Sequence, residues 1–298
     1  MATHDVDWDL YRTFLAVLQT GSLSAAARQL NLSQPTVGRH VEALEQAAGF
    51  PLFTRSQSGL QPTEAALTLK PYAESMAATA AALARATSAS PGAVEGTVRI
   101  SASEIVAVEV LPPILAKLGE THPKLEIELS ASDAVEDLLH RQADIALRMT
   151  EPVQTALVVR HLGDIPIGFF AHRDYLVRRG TPQSLADLAK HDVIGYDRNL
   201  AYVRDVMRNF PGVALPRFHF RADSNTAQLA MLRAGCGIGL CQRQLGLRDP
   251  NLVEILEGTL PIRLPVWAAM HENLRNTPRC RAAFDALVEG MLQYVRSL

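Results

Sequence analysis

The chain has 298 residues, 48% of them hydrophobic, and a formal net charge of −2. That length holds two or three buried cores, and the composition belongs to soluble globular proteins rather than disordered chains. Asp5, Asp7 and Asp9 crowd the N-terminus with no basic segment or apolar run behind them, and no uncharged apolar window reaches bilayer length, so neither a signal peptide nor a membrane span is expected and the cytoplasm is the expected location.

Asp7 can cap a first helix whose face carries Leu10, Phe14, Val17 and Leu18, and Gly21 ends it. Ser22 then caps a second helix with Leu23, Ala26, Ala27 and Leu30 on one side, and Asn31 and Leu32 interrupt it. Ser33 caps a third, with Pro35 in its first turn and Val37, Val41 and Leu44 as its inner stripe. Two short helices joined by a tight turn form a helix-turn-helix, in which the second helix enters the DNA major groove by its N-terminal end. Gln34, Pro35, Thr36, Arg39 and His40 then face base edges and phosphates, where Gln can pair with adenine and Arg with guanine. The competing reading is an ordinary pair of amphipathic helices in a bundle.

PLFTR and GLQPT read as two short strands around a polar tip, Ser56 to Ser58, a wing with Arg55 at its base. The DNA-facing set is thus Ser22, Ser33, Gln34, Pro35, Thr36, Arg39, His40 and Arg55. Arg12, Arg28, Arg39 and Arg55 outweigh Glu42 and Glu45 only slightly. So few phosphate-directed cations require two or more copies on one site.

This region, GSLSAAARQLNLSQPTVGRHVEALE followed by GFPLFTRSQSGLQPTEA, strongly resembles the N-terminal part of LysR-type transcriptional regulators, most tightly in SQPTVGRHVEALE, PLFTR and LQPTEA. The resemblance extends more loosely over nearly the whole chain. It implies double-stranded DNA as a partner, a homodimer or homotetramer, and a small-molecule effector. Gly38 departs from the family, which commonly has Ser there; a mid-helix glycine costs about 1 kcal/mol against Ala and removes a hydroxyl.

From Pro62 and Thr63 an Ala-rich segment runs to about Thr87. Leu69, Met76 and Leu83 fall seven apart in it, and Tyr72, Thr79 and Ala86 three residues after each, an a/d seam that a second copy would cover. Leu69, Tyr72, Met76 and Leu83 are the expected dimerisation residues, with a kink at Pro71. Ser88 to Gly96 reads as a hinge. The expected division is therefore 1–62 for the DNA-binding domain, 63–87 for the linker helix, 88–96 for the hinge and 97–298 for the rest.

Beyond the hinge, TVRISA, KLEIELS and DIALR read as strands, with helices over Glu104–Leu118 and Asp133–Arg141. From about Asp164 the pattern restarts: IPIGFFAH strand, SLADLAKH helix, VIGYD strand, Leu200–Phe210 helix, RFHFRA strand, Ser224–Ala234 helix, GIGLCQ strand. LPVWAAMH returns as a strand before a helix from Pro278 to Leu298. Alternation of this kind predicts a mainly parallel sheet. The expected fold class is α/β for this domain, two-lobed and periplasmic-binding-protein-like, preceded by an all-α winged helix-turn-helix domain and a long linker helix. Lobe I covers about 97–163 and 268–298, and lobe II about 164–267.

Ligands of such sheets collect beyond the carboxyl ends of strands. That rule selects Ser101, Ser103, Ser132, Arg148, Thr150, Tyr196, Asp197 and Asn225, a set suited to a small carboxylate. Serine at a helix start is more often only a cap; the family resemblance, in whose members these loops line the effector site, raises the ligand reading. AGCGIGL follows a helix and precedes a strand, the reverse of a dinucleotide fingerprint, and reads as a turn. Where the family often has a proline shortly afterwards, this chain has Cys241-Gln242. Cys236, Cys241 and Cys280 form neither a CxxC pair nor an even set; a thiol sensor from Cys236 and Cys241 competes with buried structural cysteines. No HExxH, GxSxG or P-loop motif occurs, so no metal, no cofactor and no catalysis are expected. The rival to a DNA-binding regulator is a cytoplasmic small-molecule binding protein whose N-terminal helices only dimerise.

Overall fold

The computed structural model describes residues 6–56, 59–87, 92–133, 143–152, 157–196 and 218–297. They fall into two units, one running to Ala84 and one beginning at Arg85.

In the first unit, α1 (Trp8–Thr20) is capped by Asp7, whose Oδ1 accepts the Asp9 N–H, and stops at Gly21 in the left-handed conformation. Helix α2 (Leu23–Leu30) ends at Asn31, also left-handed, and α3 (Gln34–Ala48) ends at Gly49. Val17 of α1, Ala26 of α2 and Val37 of α3 are wholly buried in one cluster that the three helices share. Burial of each larger side chain contributes about 1.5–3 kcal/mol. Strands β1 (Phe53–Ser56) and β2 (Gly59–Pro62) pair antiparallel, with Arg55 opposite Leu60. Gly59 adopts φ +115°, and a Cβ there would lie 2.7 Å from the Gly21 carbonyl oxygen. The glycine is what lets the hairpin close on the end of α1, where the Leu60 N–H donates to Gly21.

Helix α4 (Glu64–Thr87) contains Pro71. Ala66 and Ala73 are buried against Phe14, Leu15, Leu44 and Leu52, and Leu69 packs on the same cluster. Leu69, half-buried, thus contributes to its own domain's core. Tyr72, Met76 and Leu83 stay 70%, 40% and 64% exposed.

In the second unit, β3 (Gly96–Ala102) begins at Gly96, which shortens the expected hinge. The expected helix over Asp133–Arg141 lies, past Asp133, outside the described residues, as does the one over Leu200–Phe210. Strand β3 lies between β4 (Leu125–Ala131) and β5 (Ile145–Arg148), parallel to both. The sheet then turns antiparallel. Strand β11 (Arg263–His271) pairs with β5 and, with one register shift, with the first part of the 16-residue β6 (Leu157–His172). The last residues of β6 pair with β9 (Ile238–Gln242) and β10 (Leu252–Ile255), both antiparallel. The mainly parallel sheet is thus corrected to a mixed one. One long strand crosses from the first half to the second and β11 returns beside it, which forces antiparallel pairing at the crossing.

In the first half, Ile100, Ile145, Leu147 and Met270 bury one sheet face under α5 (Leu111–Thr121) and α9 (Pro278–Arg296). In the second, β6 alternates: Phe169 and Ala171 pack with Tyr175 of α6 (Arg173–Arg179), and Phe170 packs with Leu229 and Leu232 of α7 (Asn225–Arg233) and Leu245 of α8 (Arg243–Arg248). Strands β7 (Ile194–Gly195) and β8 (Phe220–Arg221) form a separate parallel pair. The expected helix in SLADLAKH is a 3-10 segment, Leu185–Lys190, held by reciprocal capping between Ser184 and Asp187.

Candidate functional site

At the start of α3, Ser33 Oγ accepts the Thr36 N–H at 3.2 Å and lies 2.8 Å from the Thr36 hydroxyl. This fixes the first turn. Gln34, Pro35 and Arg39 are exposed, Thr36 is half-buried, and Val37, Val41 and Leu44 are buried. The exposed residues of the first turns and the buried stripe of α3 are therefore different sets of side chains. Ser22 is a structural cap, accepting from the Ala25 N–H at 3.4 Å.

His40 is half-buried. Its Nδ1 lies 2.9 Å from the hydroxyl of Thr13, which is buried on α1, so the ring braces two helices. Arg28 and Arg55 are exposed, and Arg12 sits 4.0 Å from Asp9, which offsets part of its charge. Glu45, counted from the sequence as an opposing charge, acts within the domain. Its Oε1 accepts the N–H groups of Leu52 at 2.6 Å and Phe53 at 3.1 Å, tying α3 to the wing. An added Cβ at Gly38 would meet only Leu23 Cδ1, at 4.0 Å, so space does not demand the glycine.

In the second unit several of the other candidates bond to one another or to their neighbours. Ser103 lies between β3 and a helical segment that opens with a π turn, Val106–Val110, before α5. Its Oγ is buried and has no hydrogen-bond partner among the described residues. Arg148, at the end of β5, donates to Ser101 Oγ at 2.7 Å. Ser101 is wholly buried beside Ala146, so it orients the guanidinium and offers no exposed hydroxyl. Ser132 N donates to the Ala102 carbonyl, and Thr150 is exposed just past β5. Tyr196 donates to Asn225 Oδ1 at 2.9 Å, and Asn225 Nδ2 donates to Asp133 at 2.6 Å. Asp197 lies outside the described residues.

Sequence reasoning missed Glu104, Glu109 and Asp133. Glu104 Oε2 accepts from Ser224 Oγ at 3.0 Å and from the Thr226 N–H at 3.4 Å. Their partners lie 92 to 124 residues along the chain, a distance that no local pattern reveals. Burial pushes the Cys241 thiol up to about 12 and the Cys280 thiol up to about 11. Both are free, buried thiols, and the burial of Cys241, one of the two cysteines of the sensor reading, argues against that reading. Among the described residues, no group of three or more His, Cys, Asp or Glu could hold a metal ion. No described helix is long and apolar enough to cross a membrane.

Residues 8–67 match the family described as "Bacterial regulatory helix-turn-helix protein, lysR family", and residues 91–292 match "LysR substrate binding domain". The chain belongs to the LysR family of transcriptional regulators. It is 30% identical over 286 residues to the HTH-type transcriptional regulator CrgA of Neisseria meningitidis serogroup C (strain 8013), covering 93% of this chain and 95% of that one. The solved CrgA structure aligns with a TM-score of 0.58 at 26% identity, over 95% of this chain and 98% of that one. The fold is shared with the LysR family regulator CbnR, with a TM-score of 0.68 at 20% identity over 97% and 99% of the two chains. CbnR has also been solved with its target DNA, and that structure aligns with a TM-score of 0.66 at 21% identity over 96% and 99%. As a LysR-type DNA-binding transcriptional regulator, the chain carries its helix-turn-helix in the first unit and its substrate-binding domain in the second.

Proposed function

We propose that α3 reads DNA through Gln34, Pro35, Thr36 and Arg39, with Arg55 of the wing on a phosphate, and that two or four copies act together in the cytoplasm under the control of a small effector. The exposed first turn of α3 above a buried inner stripe carries this reading. The effector, a small carboxylate, sits between the halves of the second unit near Ser103, Ser132, Arg148, Thr150, Tyr196 and Asn225. The buried, unpartnered Ser103 hydroxyl, two residues along the chain from the Ser101 that holds the Arg148 guanidinium, supports that placement.

The test selects duplexes from a randomised library with the full-length protein, then measures affinity over a salt series. Dyad-symmetric sites and a steep loss of affinity with salt are expected. Retention of no sequence above background would leave the binding-protein reading in its place. Thermal shifts with a panel of small monocarboxylates test the effector in parallel: stabilisation of wild type that Ser103→Ala reduces is expected, and no shift with any member would remove the carboxylate.

A further inference from the structure

One segment of the first half, Glu104 to Glu109, grips both ends of a helix of the second half. At the N-terminus of α7, Glu104 accepts from Ser224 Oγ and the Thr226 N–H, placing a carboxylate at the positive end of the helix dipole. Asp133 accepts both the Glu104 N–H at 3.0 Å and the Asn225 amide at 2.6 Å, which adds a second strap at the same end. In the last turn of α7, Arg233 makes a two-pronged bond to Glu109, at 2.7 and 2.8 Å, and its Nε also faces Asp249 at 3.4 Å. Arg248 of α8 donates to the Glu109 carbonyl, which Pro113 cannot engage, and its guanidinium lies 5.4 Å from the Tyr294 ring centroid of α9.

The π turn makes this grip possible. In a regular α-helix residues five apart diverge by about 140° around the axis, which would turn one of the two glutamates away. Between them the backbone widens, the Leu111 N–H reaching back five residues to Val106, and both carboxylates meet the same partner helix.

We propose that Glu104 and Glu109 form a clasp on α7 that holds the two halves of the domain together before any effector arrives. Effector entry then works against the clasp, and the free energy of opening it sets the sensitivity of the response. That regulatory consequence rests on the effector reading above. The clasp itself does not.

Amide exchange of full-length protein without effector, followed by mass spectrometry, tests it with near-isosteric variants. Glu104→Gln and Glu109→Gln should each speed exchange in α7 by about tenfold while exchange in β3 is unchanged. Because Glu109 and Arg233 act as one pair, the Glu109→Gln/Arg233→Gln double variant should exchange no faster than the faster single variant. Unchanged exchange in α7, additive effects of the pair, or acceleration spread evenly over α7 and β3 would each overturn the clasp. Should Glu109→Gln fail to fold, Glu104→Gln decides by the same readout. No ligand enters these measurements, so a failed clasp leaves the thermal-shift test of the effector untouched, and a failed thermal-shift test leaves the clasp standing.

Discussion

Gln34 is exposed in the first turn of α3 and Val41 is buried two turns further along it, so substitutions can separate recognition from folding. Gln34→Ala should cost about 1–3 kcal/mol at the selected site and relax base preference, since a bidentate base contact is lost. Arg39→Ala should either relax specificity or weaken all duplexes alike with a shallower salt slope, according to whether it meets a base or a phosphate. Val41→Asp should instead unfold the domain, because it buries an unpaired charge among Ala16, Val17 and Val37. Binding to selected and scrambled duplexes over a salt series checks all three, and folded Gln34 and Arg39 variants indistinguishable from wild type would remove α3 as the reader. At this scale the caps were legible in the sequence: Asp7, Ser22 and Ser33 act on N–H groups two or three residues away, and spacing along the chain contains that information. His40 was not legible, because its partner Thr13 is 27 residues distant and only the fold brings them together.

The linker helix shows what periodicity reveals and what it hides. A seven-residue repeat marks an apolar stripe but not which part of it the chain covers for itself. Leu69 repeats with Met76 and Leu83, yet packs on the cluster of Phe14 and Leu44, so the row left in solvent starts at Tyr72 and continues through Met76, Thr79 and Leu83 at helical spacing. A second copy of the chain is the cover we propose. Met76→Lys, at the middle of that row, should shift sedimentation from dimer or tetramer toward monomer and weaken DNA binding with it; a fully assembled Met76→Lys variant would place the dimer interface elsewhere. Leu69→Lys should do something different, lowering the stability of the first unit. Strands with clear alternation were read correctly as strands, whereas the mixed direction of the sheet was hidden, because direction depends on where β6 and β11 cross.

Over the whole second unit, stability and opening depend on charges that no local pattern places together. Arg85 and Asp144, 59 residues apart, form a buried two-pronged pair at 3.0 and 3.2 Å, and Asp144 also accepts the Arg99 N–H at 2.9 Å. The clasp is longer in range still. Within it the Glu109 carboxyl is held below the usual carboxylate range, chiefly by its hydrogen bonds to Arg233 and by the charges of Arg233 and Arg248, against the opposing effects of burial and Asp249. The sign follows from that direction. A carboxylate with a lowered folded-state pKa adds stability that is complete above its unfolded pKa, near 4.5, and is lost as pH falls through the folded value. Glu109→Gln has no such proton to gain. The variant should be less stable than wild type at neutral pH, and the gap between them should narrow as the medium is acidified below about pH 4.5. Urea unfolding of the second unit, measured from pH 7 down to the acid transition, checks this at constant ionic strength. A gap that stays constant across the series would mean that Glu109 contributes through packing alone, and its ion pair with Arg233 would lose its place in the stability of the unit.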